Sequence, residues 1–243
     1  MSLTQVVRHT DADALVRRVA QRLVDAIMAR QAGGHVVQLC LTGGSIAMRL
    51  YEQLATILSP EKVDPELLEL WWGDERFVPT AHPDRLAGPT LALLARHYPI
   101  NPAHTHPMPA SDGSFDASSA ALNYTKELDD TRFDICLLGI GPDGHVASIF
   151  PHHPSSEPTN QRVIAMQDSP KPPPERISLT IPTLNESAEV WFLASGTPKA
   201  AAVKAAIGGD TSIPAGNVHG QEATIWLIDQ DAAQDMPYFD CSM

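Results

Sequence analysis

A short apolar run, "HVVQLCL" at 35–41, ends on "TGGS" and gives way at 46–58 to "IAMRLYEQLATIL", whose apolar residues recur at helical spacing. Strand, glycine turn and helix in that order form the first unit of a parallel sheet, because a parallel strand needs a long crossover to bring the chain back. The unit recurs along the chain. "LLELWW" (67–72) precedes a polar turn and the helical "LAGPTLALLARH" (86–97); helical "ASSAALNYTKELDD" (117–130) leads to the apolar "FDICLLGI" (133–140); "EVWFLAS" (189–195), helical "TPKAAAVKAAI" (197–207) and "ATIWLI" (223–228) close the series. Ahead of the first unit, Thr10 and Asp13 have the spacing of a capping box, and Leu15, Val19, Leu23 and Ile27 define an amphipathic helix that runs to Gly33 and Gly34. This alternation predicts an α/β fold over 1–243: one domain, a mostly parallel sheet and helices on both faces. Ligands of such sheets bind beyond the carboxyl ends of the strands.

The bulk properties narrow the function. Apolar residues make up 43% and charged residues 19% of 243, a globular balance. No apolar run approaches the ~20 residues of a membrane span and the start lacks a signal-peptide core, so a cytoplasmic protein is expected. The net charge of −12 opposes nucleic acid and anionic membranes, and an anionic ligand would need a locally basic pocket. Cys40, Cys136 and Cys241 lack any metal or redox spacing and read as buried thiols. Neither the pair His104 and His106 nor the pair His152 and His153 has a partner at a recognised metal-ligand spacing, so no metal is expected. The prolines of "SPKPPPE" (169–175) exclude helix and central strand and mark a surface loop, placed at one edge of an active-site mouth.

Four strand ends carry residues out of keeping with their apolar approach. Thr42-Gly43-Gly44-Ser45 offers close backbone approach and a helix N-terminus, which suits a phosphate, although such turns also arise for steric reasons alone. Asp74, Glu75 and Arg76 follow Trp71 and Trp72; they read either as a solvated turn with a local ion pair or as site residues. In "GIGPDGHVASIFP" (139–151), glycines surround Asp143 and His145, and a histidine oriented by a carboxylate is suited to take a proton from water. In "SGTPKA", Thr197 reads as an N-cap and Pro198 as the first helical residue, which sets Lys199 in the first turn against the dipole. Either an anion sits there or the side chain bends into solvent. Arg176 opens the apolar "RISLT", and guanidinium can pair with phosphate oxygens. Ser148 lacks a G-x-S-x-G elbow, so no hydrolytic serine is indicated.

Taken in order, "LTGGS", "WWGDERFVP", "GIGPDGHVASIFP", "RISLT" with "LN", "SGTPKA" and "IPAGNV" resemble the 6-phosphogluconolactonase family over residues 35–228. The resemblance implies a modified Rossmann-like sheet and cofactor-free, metal-free hydrolysis of 6-phospho-D-glucono-1,5-lactone in the pentose phosphate pathway. It implies roles residue by residue: His145 as the base with Asp143 as its orienter, Arg76 at the carbonyl, Asp74 on the sugar, and Thr42, Gly43, Gly44, Ser45, Arg176 and Lys199 on the phosphate. The ligand is then a small sugar-phosphate lactone, handled by a monomer or weak homodimer. One position departs: where the family commonly has asparagine, "HPDRLAG" places Leu86. Two alternatives are a non-catalytic sugar-phosphate sensor and a glucosamine-6-phosphate deaminase or isomerase. The latter resemblance would carry an Asn-Glu-Pro sequence after the histidine, where this chain has Ile149, Phe150 and Pro151.

Overall fold

The computed structural model describes residues 2–237; Cys241 lies outside them. In chain order the elements are β1 (Leu3–His9), α1 (Ala12–Gln31), β2 (Val37–Leu41), α2 (Ser45–Ile57), β3 (Leu68–Trp72), β4 (Asp74–Arg76), α3 (Ala87–Leu94), β5 (Thr105–His106), α4 (Ala117–Leu128), β6 (Ile135–Gly139), β7 (Val163–Met166), β8 (Arg176–Leu179), α5 (Ile181–Leu184), β9 (Glu189–Ala194), α6 (Ala200–Ile207) and β10 (Ala223–Asp229). Seven strands form one sheet in the order β1-β10-β9-β6-β2-β3-β5, with every pairing parallel. This is the expected α/β architecture. No helix among the described residues is long and apolar enough to cross a membrane.

Alternation along each strand divides the interior into two cores. On β2, Leu39 and Leu41 face one way and Cys40 the other; on β6, Ile135 and Leu137 oppose Cys136 and Leu138. Because successive side chains of a strand point to opposite faces, each apolar run feeds both layers, which is why these strands read as continuous apolar runs. The Leu39–Leu41 face is covered by α1, α2 and α3, and the Cys40–Cys136 face by α4, α6 and a second, smaller sheet. That second sheet, in the order β4-β8-β7, is antiparallel. Cys40 and Cys136 are register partners across β2 and β6 and are buried free thiols.

Two local expectations are corrected and one open alternative is closed. The cap of α1 is Asp11, whose carboxylate accepts from the Ala14 amide at 2.7 Å, rather than Thr10. Thr197 does not cap a helix. Gly196, at φ +92°, precedes a single 3-10 turn over Thr197–Lys199, and Lys199 ends that turn before α6 begins. The stretch after Trp72 is not a solvated turn: Asp74 is 6% exposed and Glu75 fully buried.

Glu75 is the tie between the two sheets' neighbourhoods. Its carboxylate accepts from the amides of Arg76 (2.8 Å), Leu86 (2.9 Å) and Ala87 (2.9 Å), closing the N-terminus of α3, and faces Arg85 Nε at 3.5 Å. Arg85 in turn donates to the Met108 carbonyl at 2.7 Å. Burial pushes the Glu75 carboxyl above its ordinary range, while the Arg85 charge and the three amides oppose this. Removing one partner of a buried pair strands the other, at a cost of about 3–5 kcal/mol. Glu75→Ala is therefore expected to lose about that much stability in urea unfolding, with Glu75→Gln losing less because it keeps an acceptor for the amides; equal losses would show that the charge pair with Arg85 carries the effect.

Candidate active site

After β2 the chain moves outward through β3 to β5; it then returns to lay β6 on the opposite side of β2 and continues through β9 to β10. Loops leaving β2 and β6 therefore part in opposite directions and open a crevice between them. The crevice offers about 530 Å³ of space, its open mouth included, and is lined by Thr42, Gly43 and Gly44 after β2, Asp74 and Arg76 on β4, Gly139, Ile140, His145 and Ala147 after β6, Arg176 on β8, and by Leu86 and Lys199. Eight of the ten residues singled out from the sequence thus line one cleft. Ser45, the first residue of α2, and Asp143, behind His145, do not.

The wall after β2 is held from beneath. The Tyr51 phenol donates to the Thr42 carbonyl at 2.8 Å and accepts from the Thr42 amide at 3.0 Å, so this peptide is fixed by a buried side chain of α2. Burial pushes the Tyr51 pKa up, keeping the phenol protonated for that exchange. Gly44 has φ +103°, a conformation side chains rarely adopt, and is the N-cap of α2 at the lining of the cleft. A Cβ on Gly43 would lie 2.6 Å from Leu86 Cδ2. The leucine at the departing position therefore closes apolar contact over the glycine turn, and is buried at 7% exposure.

The wall after β6 carries the titratable pair. His145 Nδ1 lies 2.5 Å from Asp143 Oδ1. A proton between them requires the Nδ1–H tautomer, since two lone pairs would repel at that distance, and this leaves Nε2 as the basic nitrogen. The ring packs against Phe150, with centroids 4.9 Å apart. Burial pushes the His145 pKa below 6.5, against the hydrogen bond and charge of Asp143, so the ring is neutral at physiological pH. For Asp143, burial raises the pKa, but the hydrogen bond from His145 and the charges of His145 and Lys171 outweigh it and hold the carboxyl below its usual value. Ala147, next to the pair, is held at φ +47°.

The cations differ in how far they are already used. Arg76 donates Nη1 to the Asp84 carbonyl at 2.7 Å, while its buried Nε has no partner among the described residues. Arg176 donates to the carbonyls of Lys171 (3.1 Å), Pro172 (3.0 Å) and Pro173 (3.2 Å), so it anchors the proline loop as well as lining the cleft. Burial pushes the Lys199 pKa down, and the neighbouring Lys171 charge adds to this. Asp74 accepts from Ser148 Oγ at 2.6 Å, which fixes the carboxylate, and Ser148 itself is fully buried. Lys171 itself escaped sequence reasoning, which saw only a proline loop. Its Nζ reaches 3.0 Å from His145 Nδ1 and 3.4 Å from Asp143 Oδ1. The cleft thus gathers Arg76, Arg176 and Lys199 around Asp74, with Lys171 and Asp143 behind His145, a basic pocket in an acidic chain.

Glycine is required behind the pair: a Cβ on Gly141 would lie 1.8 Å from His145 Nδ1 and 2.3 Å from Asp143 Oδ1. Gly141→Ala is expected to fold, because side chains rather than backbone block the methyl, but to separate His145 from Asp143. The low-field proton of that hydrogen bond should vanish from the proton NMR spectrum, and chemistry that uses His145 as a base should fall by ~10²-fold or more. Retention of both signal and activity would refute the steric reading.

Residues 10–226 match the family model described as glucosamine-6-phosphate isomerases/6-phosphogluconolactonase. A 6-phosphogluconolactonase of Streptomyces coelicolor is 40% identical, over 96% of this chain and 95% of its own length. One from Mycobacterium tuberculosis is 41% identical, over 93% and 96%. The crystal structure of 6-phosphogluconolactonase from Thermotoga maritima superposes with a TM-score of 0.82 at 27% identity, over 93% of this chain and 99% of that one. With the match running from the approach to α1 into β10, and the cleft built where the family blocks were read, the chain belongs to the glucosamine-6-phosphate isomerase/6-phosphogluconolactonase family.

Proposed function

We propose that this chain, acting as one domain over 1–243, hydrolyses 6-phospho-D-glucono-1,5-lactone to 6-phospho-D-gluconate. The observation that carries the reading is the His145–Asp143 pair, with a neutral ring whose Nε2 has no hydrogen bond among the described residues, set in a basic cleft beside a glycine turn and a helix N-terminus. The 40–41% identical relatives are themselves named 6-phosphogluconolactonases.

In this reading the dianionic phosphate lies against the Thr42–Gly44 backbone and the start of α2 at Ser45, with Lys199 and Arg176 supplying charge. Asp74, fixed by Ser148, accepts from sugar hydroxyls. Nε2 of His145 takes a proton from water as its oxygen adds to the lactone carbonyl, and Asp143 holds the ring through Nδ1–H. Negative charge grows on the carbonyl oxygen, where Arg76, with a donor unspent, stabilises it. The intermediate then collapses by breaking the bond to the ring oxygen, which leaves as a hydroxyl with the proton from His145. A lactone is an activated ester, so a positioned water, one base and one cation suffice, and the steps use neither cofactor nor metal. The distant phosphate supplies binding energy that orients the reacting carbon.

The deaminase or isomerase reading finds no support in this chain: Ile149 and Phe150, where that resemblance would bring a carboxylate, are buried apolar residues at 0% and 1% exposure. A sensor would not require the His145–Asp143 pair. We place the protein in the cytoplasm as a monomer or weak homodimer acting on a small molecule, in keeping with a charge of −12 that disfavours nucleic acid and anionic membranes.

With the lactone generated in place and product followed through an NADP-linked 6-phosphogluconate dehydrogenase, the protein should far exceed spontaneous opening, and His145→Ala should fall ~10²–10⁴-fold. No acceleration by the parent protein would overturn the assignment. The base works unprotonated, so kcat/KM should fall as pH drops through the His145 pKa, and because burial depresses that pKa the acid limb should lie below 6.5. A midpoint above 6.5 would contradict it. Lys199→Ala should raise KM more than it lowers kcat, as expected for a group that holds the phosphate rather than the reacting carbonyl.

A further inference from the structure

We propose that Lys171 is a positioning residue of this reaction: its ammonium, delivered by the proline loop, braces the His145–Asp143 pair and opposes protonation of the ring. The inference rests on His145 being the base.

Three polar atoms meet at one point. Lys171 Nζ is 3.0 Å from His145 Nδ1 and 3.4 Å from Asp143 Oδ1, and these two are 2.5 Å from each other. Nδ1 cannot donate to Asp143 and accept from the ammonium at once. The 2.5 Å separation assigns the Nδ1 proton to the bond with Asp143, so Lys171 stands beside the ring as a charge and shares the carboxylate with it. Sharing matters, because Asp143 alone would stabilise an imidazolium and so hold the base in its protonated, idle form. The ammonium offsets that pull while leaving the carboxylate free to fix the tautomer. The charged and titratable groups that bear on the ring are Asp143 from its own loop, Lys171 from the proline loop and Asp74 from β4; Phe150 gives it an apolar face. Arg76, Arg176 and Lys199 line the same cleft, but Lys171 is the cation that meets the ring, 3.0 Å from Nδ1, and its effect on His145 is to lower the pKa.

The loop is built to hold the lysine there. Arg176 donates to the carbonyls of residues 171, 172 and 173, Ser169 Oγ donates to the Lys171 carbonyl at 3.0 Å, and the Ser169 amide donates to the Pro174 carbonyl at 3.1 Å. Prolines at 172, 173 and 174 fix φ through the same stretch. Lys171 Nζ also lies 5.8 Å from the centre of the Phe150 ring, on which His145 packs. Arg176 therefore acts on the base at one remove, through the loop that it anchors.

The test compares the full-length protein with Lys171→Met, which keeps the stem and removes the charge, and Lys171→Arg, which restores the charge. The Lys171 side chain is 40% exposed, so neither change threatens the core. In the ligand-free proteins the His145 ring is titrated by NMR, its resonance assigned with His145→Ala, and kcat/KM for the lactone is followed against pH. Lys171→Met should raise the His145 midpoint by roughly one pH unit, the scale of a unit charge at this distance in a partly solvated site. The acid limb of kcat/KM should move up with it, and Lys171→Arg should return both. An unchanged His145 midpoint in Lys171→Met overturns the inference. So does loss of activity without a shift, which would place Lys171 on the substrate instead. If the midpoint shifts but the parent protein has no lactonase activity, the brace stands and the proposed function fails.

Discussion

The parallel pairing of β2 with β6 is the contact on which the cleft depends. Leu39 faces Ile135 and Cys40 faces Cys136, a short seam of fully buried apolar partners. Once these strands lie side by side with connections leaving in opposite directions, the glycine turn after β2 and the loop after β6 must part above them. Gly139, the last residue of β6, donates its amide to Thr42 Oγ1 at 3.4 Å, so the two walls meet at their base. A seam of larger or polar residues would separate the strands, and with them the two walls of the cleft.

Close approach explains where the glycines are. Gly43 lies under Leu86, Gly141 under His145, and Gly144, at φ +81°, has Ile213 where a Cβ would lie at 2.7 Å. Each is a place where another residue's side chain occupies the volume a methyl would need. Leu86 is the informative case. The residue that departs from the family pattern is not an idle substitution in a loop, because it closes over the glycine turn, lines the cleft and belongs to the core shared with α2 and α3. A polar group at that position would reach the ligand; leucine instead makes that wall apolar and leaves recognition to the other side of the cleft.

Much of this was legible in the sequence because the signals were local. Apolar runs and helical spacing located β2, β3, β6, β9 and β10, and polar residues at their ends pointed to the cleft. What the sequence hid is non-local. β1 pairs with β10 across more than two hundred residues, and its exposed, partly polar run "LTQVVRH" has no apolar core of its own to announce it. The second sheet was missed because its first strand is the tripeptide Asp-Glu-Arg, whose composition says turn; it is a strand only because β8 lies beside it. Lys171 was invisible for a related reason. A lysine in a proline run has no periodicity to place it, and its position is set by Arg176, Ser169 and the carbonyls between them.

The tripeptide at 74–76 shows how one strand serves two ends at once. Alternation sends Asp74 and Arg76 toward the cleft and Glu75 away from it, into the start of α3. Glu75 meets three amides and Arg85, and its charge is spent within the protein. Arg76 keeps a buried Nε without a partner among the described residues, and burial leaves the Lys199 and Arg176 pKa values depressed. A buried donor left short of partners destabilises a protein, and a desolvated cation gains by pairing with an anion. An overall charge of −12 weakens long-range attraction for such a ligand. Its capture therefore falls to these few short-range cations, and they are held ready because the neighbouring residue on the same strand has paired with Arg85 and stays out of their way.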